Sequence, residues 1–91
     1  MQEVFEAISD PTRRKILDLL RGRDMSVNEI LEHFEMSGAS LSHHLNKLKM
    51  ADLVTTTRKG QSIYYSIHTS VFEDAARLVM EFFEPKKGRK K

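Results

Sequence analysis

The chain has 91 residues, 31% of them charged, no cysteine and a formal net charge of +2. That length allows one small domain without a separate effector module, no apolar run approaches a membrane span, and the lack of cysteine excludes disulfides, thiolate metal sites and thiol redox sensing. The near-neutral total hides segregation: residues 1–35 sum to −3, 36–68 to +3, 69–85 to −3 and 86–91 to +5, a pattern that can focus a polyanion on the middle of the chain.

Met1-Gln2-Glu3 lacks the basic-then-apolar start of a signal peptide, so a cytoplasmic protein with no membrane insertion is expected. Val4, Phe5 and Ile8 predict a short first helix. Asp10-Pro11 reads as an N-cap followed by proline at the first helical position, where its missing N–H costs nothing. The second helix runs through Arg13, Arg14, Ile16, Leu17, Leu19 and Leu20, and Arg21-Gly22-Arg23-Asp24 ends it. Ser26-Val27-Asn28-Glu29 is a capping box opening a third helix, in which Val27, Ile30, Leu31 and Phe34 fall at i, i+3, i+4, i+7. Only Glu35 to Gly38 then separate Phe34 from the next helix, a turn short enough to force the steep crossing of a helix-turn-helix. Ser37 is the expected N-cap, and the first-turn N–H groups beyond it suit a phosphate oxygen.

The fourth helix, residues 38–50, buries Leu41, Leu45 and Leu48 along one stripe. Ala39, Ser40, His43, Asn46 and Lys47 point the other way, and no carboxylate stands among them. Such a surface can enter a DNA major groove without steric clash or phosphate repulsion; an ordinary amphipathic surface helix is the plainer alternative. After Ala51-Asp52 the chemistry turns to β. Leu53 to Thr57 is mostly β-branched, Ile63, Tyr65 and Ile67 alternate, and Arg58-Lys59-Gly60-Gln61 joins the two strands, with Gly60 able to supply a positive φ. A basic hairpin after a helix-turn-helix is a wing, its bland counterpart being a solvated turn that happens to be basic.

A second capping box, Ser70-Val71-Phe72-Glu73, opens the last helix. Two apolar stripes run along it, Val71-Ala75-Leu78-Phe82 and Phe72-Ala76-Val79-Phe83. One stripe suffices to pack on a core; two imply a further partner. A second copy of the chain is expected there, through Val4, Phe5 and Ile8 of the first helix with Phe72, Ala76, Val79, Phe82 and Phe83 of the last. Residues 1–85 then form one DNA-binding and dimerisation domain, and 86–91 a basic, disordered tail that adds phosphate affinity or only solubility. The expected fold class is mainly α with a small β-hairpin.

His43 suits a groove contact, His44 a hydrogen bond within the fold, and His33 a solvated position. No metal site, cofactor, nucleophile elbow, phosphate-binding glycine loop or paired catalytic carboxylate is read, so no enzyme is expected.

Three stretches together resemble the ArsR family of bacterial transcriptional repressors: Ala7-Ile8-Ser9-Asp10-Pro11-Thr12-Arg13-Arg14 with Ile16-Leu17, Ser40-Leu41-Ser42-His43-His44-Leu45 with Leu48, and Lys59-Gly60-Gln61 with Tyr64-Tyr65. Within the family the chain is similar to the small SdpR-like autorepressor subgroup. The resemblance implies an α-α-α-α-β-β-α winged helix-turn-helix, a homodimer through the first and last helices, and repression by occupying an inverted-repeat operator. It also exposes departures. Ser26 and Asn28 stand where one metal-sensing class has its cysteine pair, and Thr69, Val71, Phe82 and Pro85 stand about where another has Asp and His ligands. A repressor without the known metal-sensing sites is therefore expected.

Of the candidate DNA-binding residues, Ser40, His43 and Lys47, with Ala39 beside them, are expected near base edges. Ser37, Ser42, Arg58, Lys59 and Gln61 are expected on phosphates. No inducer can be read; release is left to a regulatory protein partner masking the DNA-binding or dimer surface, or to changes in repressor abundance. The alternatives are a winged-helix module that binds protein or RNA, and a repressor with an unrecognised metal or ligand site.

Overall fold

Residues 1–84 are described by a computed structural model; Pro85 and the basic tail, with the expectation that the tail is disordered, lie outside the described residues. The element order is α1 (Gln2–Ile8), α2 (Pro11–Gly22), β1 (Met25–Ser26), α3 (Val27–Leu31), α4 (Gly38–Met50), β2 (Val54–Lys59), β3 (Ser62–Ile67) and α5 (Thr69–Phe83). This is the mainly helical winged helix-turn-helix expected.

Local chemistry starts most of the helices. The Asp10 carboxylate accepts the Arg13 N–H at 3.0 Å, and Pro11 fills the first position of α2. Ser26 and Glu29 close the capping box of α3 in both directions, at 3.2 and 2.9 Å. The Ser37 hydroxyl accepts the Ser40 N–H at 3.0 Å and so caps α4. The stripes then meet in one core, where Ile16, Ile30, Leu41, Leu45, Leu48 and Leu53 are fully buried.

Where α4 ends, the chain turns through Asp52 at φ 61°. The Asp52 N–H reaches the Lys49 carbonyl and the Leu53 N–H the Leu48 carbonyl, both at 3.0 Å. These two bonds are a Schellman motif with aspartate in the left-handed position that glycine usually takes, and its apolar partners Leu48 and Leu53 are both in the core. The turn fixes where the hairpin leaves α4. Its return is tied at the same place, since the His68 N–H donates to the Leu53 carbonyl and His68 Nδ1 to the Asp52 carbonyl, both at 2.9 Å.

Four expectations need correction. A third strand exists: β1 pairs with β3 (Met25 opposite Tyr65, Ser26 opposite Tyr64), giving an antiparallel sheet of order β1-β3-β2. Two residues carry no periodicity, so only the neighbouring strand defines them. The third helix stops at Leu31, because the N–H groups of His33 and Phe34 close tighter turns onto Ile30 and Leu31. Phe34 lies outside that helix yet stays half-buried, with Lys15 Nζ 4.9 Å from its ring centre and donating to the His33 carbonyl. The capping box at Ser70 does not form: α5 begins at Thr69 after His68, with no side-chain cap. The bonds from His68 to Asp52 and Leu53 set the chain direction one residue earlier, which places Ser70 inside the first turn. Finally, β2 starts at Val54 and takes in Arg58 and Lys59, while Leu53 belongs to the turn before it.

Candidate nucleic-acid interface

The outer face of α4 presents Ala39, Ser40, Ser42, His43, Asn46 and Lys47, all exposed, while Leu41, Leu45 and Leu48 are buried beneath. Ser37 is exposed at the helix start, its hydroxyl shared between the cap and a 3.2 Å contact with Ser40 Oγ. No acid lies in the first turn, and Lys47 and Lys49 stand in the last. The field of the helix dipole therefore favours an anion at the Ser37 end.

This face is more mixed than its own sequence indicates. Met50, 74% exposed, sits on it one turn below Asn46, whose amide lies 3.5 Å from the Met50 sulfur. A groove of about 350 Å³ also runs between α1 and α4, lined by Glu3, Glu6 and Ala7 on one side and His43, Asn46, Lys47 and Met50 on the other. The carboxylate-free surface is thus the N-terminal half of α4; the C-terminal half is flanked by two glutamates of another helix.

The hairpin follows the C-terminal turn of α4 as a two-strand ribbon, with Val54 opposite Ile67 at its base and Lys59 opposite Ser62 at its tip. Gly60 has φ 63° and Gln61 a negative φ, the pattern of a type II′ turn, which matches the twist of the strands. Arg58, Lys59 and Gln61 are exposed. Lys59 Nζ lies 5.1 Å from the centre of the Tyr64 ring, a contact that steadies the lysine without neutralising it.

Behind the face lies a buried arginine to which the sequence alone assigns no functional role. Arg13 is buried, 8% exposed. Its Nε donates to the Ala7 carbonyl at 2.7 Å and its Nη2 to the Glu6 carbonyl at 3.3 Å, and its Nη1 lies 3.3 Å from His44 Nδ1. Guanidinium only donates, so His44 Nδ1 is the acceptor and its proton sits on Nε2. Asp10 Oδ2 is 3.8 Å from the same His44 nitrogen. The Arg13 N–H, with help from the charge of the Arg13 guanidinium, holds the Asp10 carboxyl below the ordinary carboxylate range against a desolvation that opposes it. The internal hydrogen bond read for His44 is therefore present, with Arg13. The signal for Arg13 was available: it lies three, four and seven residues before Ile16, Leu17 and Leu20, on the buried stripe of α2.

The residues read as a dimer surface divide. Val4 is buried in the chain's own core, because a short helix lying on the body turns one of its two apolar sides inward; it is not left for a partner. Ile8 and Phe72 are half-buried against the core. Phe5, Val79, Phe82 and Phe83 are 37%, 39%, 81% and 78% exposed, Met80 joins them at 52%, and Ala76 is exposed too. Only Ala75 of α5 is buried.

Among the described residues no cluster of three or more His, Asp or Glu side chains could hold a metal ion. No described helix is long and apolar enough to cross a membrane.

Comparison with known proteins points one way. The profile described as "Bacterial regulatory protein, arsR family" matches residues 10–56, from the cap of α2 to the middle of β2. The chain is 56% identical over 82 residues to the transcriptional repressor SdpR of Bacillus subtilis (strain 168), covering 90% of this chain and 91% of that protein. It is 34% identical over 74 residues to an arsenical resistance operon repressor of Staphylococcus aureus, covering 81% of this chain and 71% of that one. Among solved structures, an ArsR-like transcriptional regulator from Rhodococcus sp. RHA1 superimposes with a TM-score of 0.81 at 30% identity, over 89% of this chain and 76% of that one.

Proposed function

The chain belongs to the ArsR family of bacterial transcriptional regulators and is no enzyme, and from that premise we propose that it is a homodimeric repressor holding an inverted-repeat operator in duplex DNA. The observation that carries this reading is the exposed, acid-free N-terminal half of α4 in a chain that also presents an exposed basic wing. In this reading residues 1–85 are the DNA-binding and dimerisation domain. Each α4 enters a major groove, with Ser40, His43 and Lys47 near base edges and Ala39 allowing close approach. Ser37, Ser42, Arg58, Lys59 and Gln61 hold phosphates, which fixes register and carries little sequence information. Two-fold symmetry sets half-sites about one helical turn, ~34 Å, or a small multiple apart.

The dimer forms through α1 and α5, where Phe5, Ala76, Val79, Phe82 and Phe83 need cover and Ile8 and Phe72 border them. The protein works in the bacterial cytoplasm, where the chromosome is. It represses its own promoter and does not respond to metals of the kinds its family senses: it has no cysteine, and Ser26, Asn28, Thr69, Val71 and Phe82 make no ligand set. A regulatory protein partner or changing abundance relieves repression.

The test is selection of duplexes from a random-sequence pool, followed by titration. Lys47→Ala weakens binding to the selected duplex by about 1–3 kcal/mol. Lys59→Ala weakens all duplexes alike and makes the salt slope shallower by about one unit. An unmodified chain that selects no duplex, or that elutes from random duplex without regard to salt, overturns the reading.

A further inference from the structure

The leucines that seat α4 on the body do not fix its position along or across that body, because apolar contact is non-directional. Directional bonds are needed for that, and the described side chains of the middle of α4 make one to another helix: His44 Nδ1 with Arg13 Nη1 at 3.3 Å. The same guanidinium is bonded to two carbonyls in the last turn of α1, those of Glu6 and Ala7. It therefore joins three helices through one planar group whose donors are fixed relative to each other.

This buried charge is not half of an ion pair. Arg13 is buried, and none of its side-chain hydrogen bonds goes to a carboxylate; the nearby Asp10 oxygen is engaged by the Arg13 main-chain N–H. An apolar side chain of similar volume would fill the space but leave the Glu6 and Ala7 carbonyls and His44 Nδ1 without this donor. What the guanidinium supplies instead is geometry. α1 carries the exposed Phe5 and α4 the groove-facing side chains, so the link runs from the surface that meets a second copy to the surface that meets DNA.

We infer that Arg13 and His44 are positioning residues for operator binding. They touch no base; they set the seat of α4 relative to α1, and so the angle at which two copies offer their reading helices to two half-sites. The inference rests on the DNA-binding reading above. Contacts to phosphate by a single wing do not depend on that angle, so binding to random duplex is spared.

The test uses the full chain with two substitutions at one position. His44→Leu has no acceptor; His44→Asn puts a carbonyl oxygen where Nδ1 stood. On a duplex selected by the unmodified chain, H44L loses about tenfold in affinity, the worth of one such bond, and on random duplex less than about twofold. H44N recovers to within about threefold on the selected duplex, although the two variants melt at similar temperatures. Imidazole 15N shifts of the unmodified chain without DNA show His44 with Nδ1 bare and Nε2 protonated, a readout that stands even if H44L does not fold. H44L binding the selected duplex as the unmodified chain does, H44N as weak as H44L, or the opposite His44 tautomer each overturns this inference alone. A chain that selects no duplex overturns the DNA reading and this inference with it.

Discussion

Helices α4 and α5 are both amphipathic, yet they divide their surfaces in opposite ways. In α4 the apolar stripe is wholly consumed: Leu41, Leu45 and Leu48 are at most 1% exposed, and what remains outside is mostly small or polar. In α5 only Ala75 is buried, Val71, Phe72 and Leu78 are half-buried, and Val79, Met80, Phe82 and Phe83 stay in solvent. A helix whose apolar side is satisfied within its own chain can offer its other face to a polar ligand. A helix with apolar surface left over asks for another protein surface. Read this way, the two helices divide the work between DNA and self-association.

That contrast can be broken experimentally, beginning where the effect is largest. Leu45→Ala opens a cavity under α4 and lowers unfolding stability by about 2–5 kcal/mol, measured by urea denaturation. Replacing Phe82 and Phe83 by serine does the reverse: the folded monomer is untouched, while self-association weakens by about 100-fold or more, as loss of interface aromatics does. Sedimentation equilibrium checks this, and a double variant as dimeric as the unmodified chain would end the division proposed for α5.

Smaller effects sharpen the comparison at the helix starts. Ser37→Ala removes the cap of α4 and costs about 1 kcal/mol. Ser70→Ala, in a sequence pattern that looks like a better cap, changes stability by less than about 0.5 kcal/mol, as expected of an exposed residue that caps nothing. Thermal melts of the two variants side by side decide it.

The smallest effect is on pH. Asp10, beside His44 of α4, is held below the ordinary carboxylate range chiefly by the Arg13 N–H, and Glu29 chiefly by the Ser26 N–H. A carboxyl that binds its proton less readily when folded adds stability above its unfolded range and loses it as pH falls through the folded one. Melting temperature therefore falls on acidification below the carboxylate range. Asp10→Asn, which keeps a capping oxygen, makes that fall shallower.

Much of this was legible in the chain because it is local. The Asp10-Pro11 start, the Ser26–Glu29 box, the Ser37 cap, the leucine stripe of α4 and the glycine turn of the wing each depend on residues within a turn or two of one another. Their hydrogen bonds and periodicities are written in adjacent positions. The candidate DNA face was legible for the same reason, as was the surplus of apolar residues on α5.

What local chemistry could not decide was set by contacts between distant segments. β1 exists only because β3 lies beside it, α5 starts where His68 is held by Asp52 and Leu53, and Val4 is spent on the chain's own core. Glu3 and Glu6 border a face whose own helix has no acid, and Arg13 is buried because α1 and α4 close over it. Sequence determined which residues could form helices, caps and a turn, since those interactions span a few residues. Tertiary structure alone determined which faces meet, since a side chain's neighbours across the core depend on where the whole backbone places them.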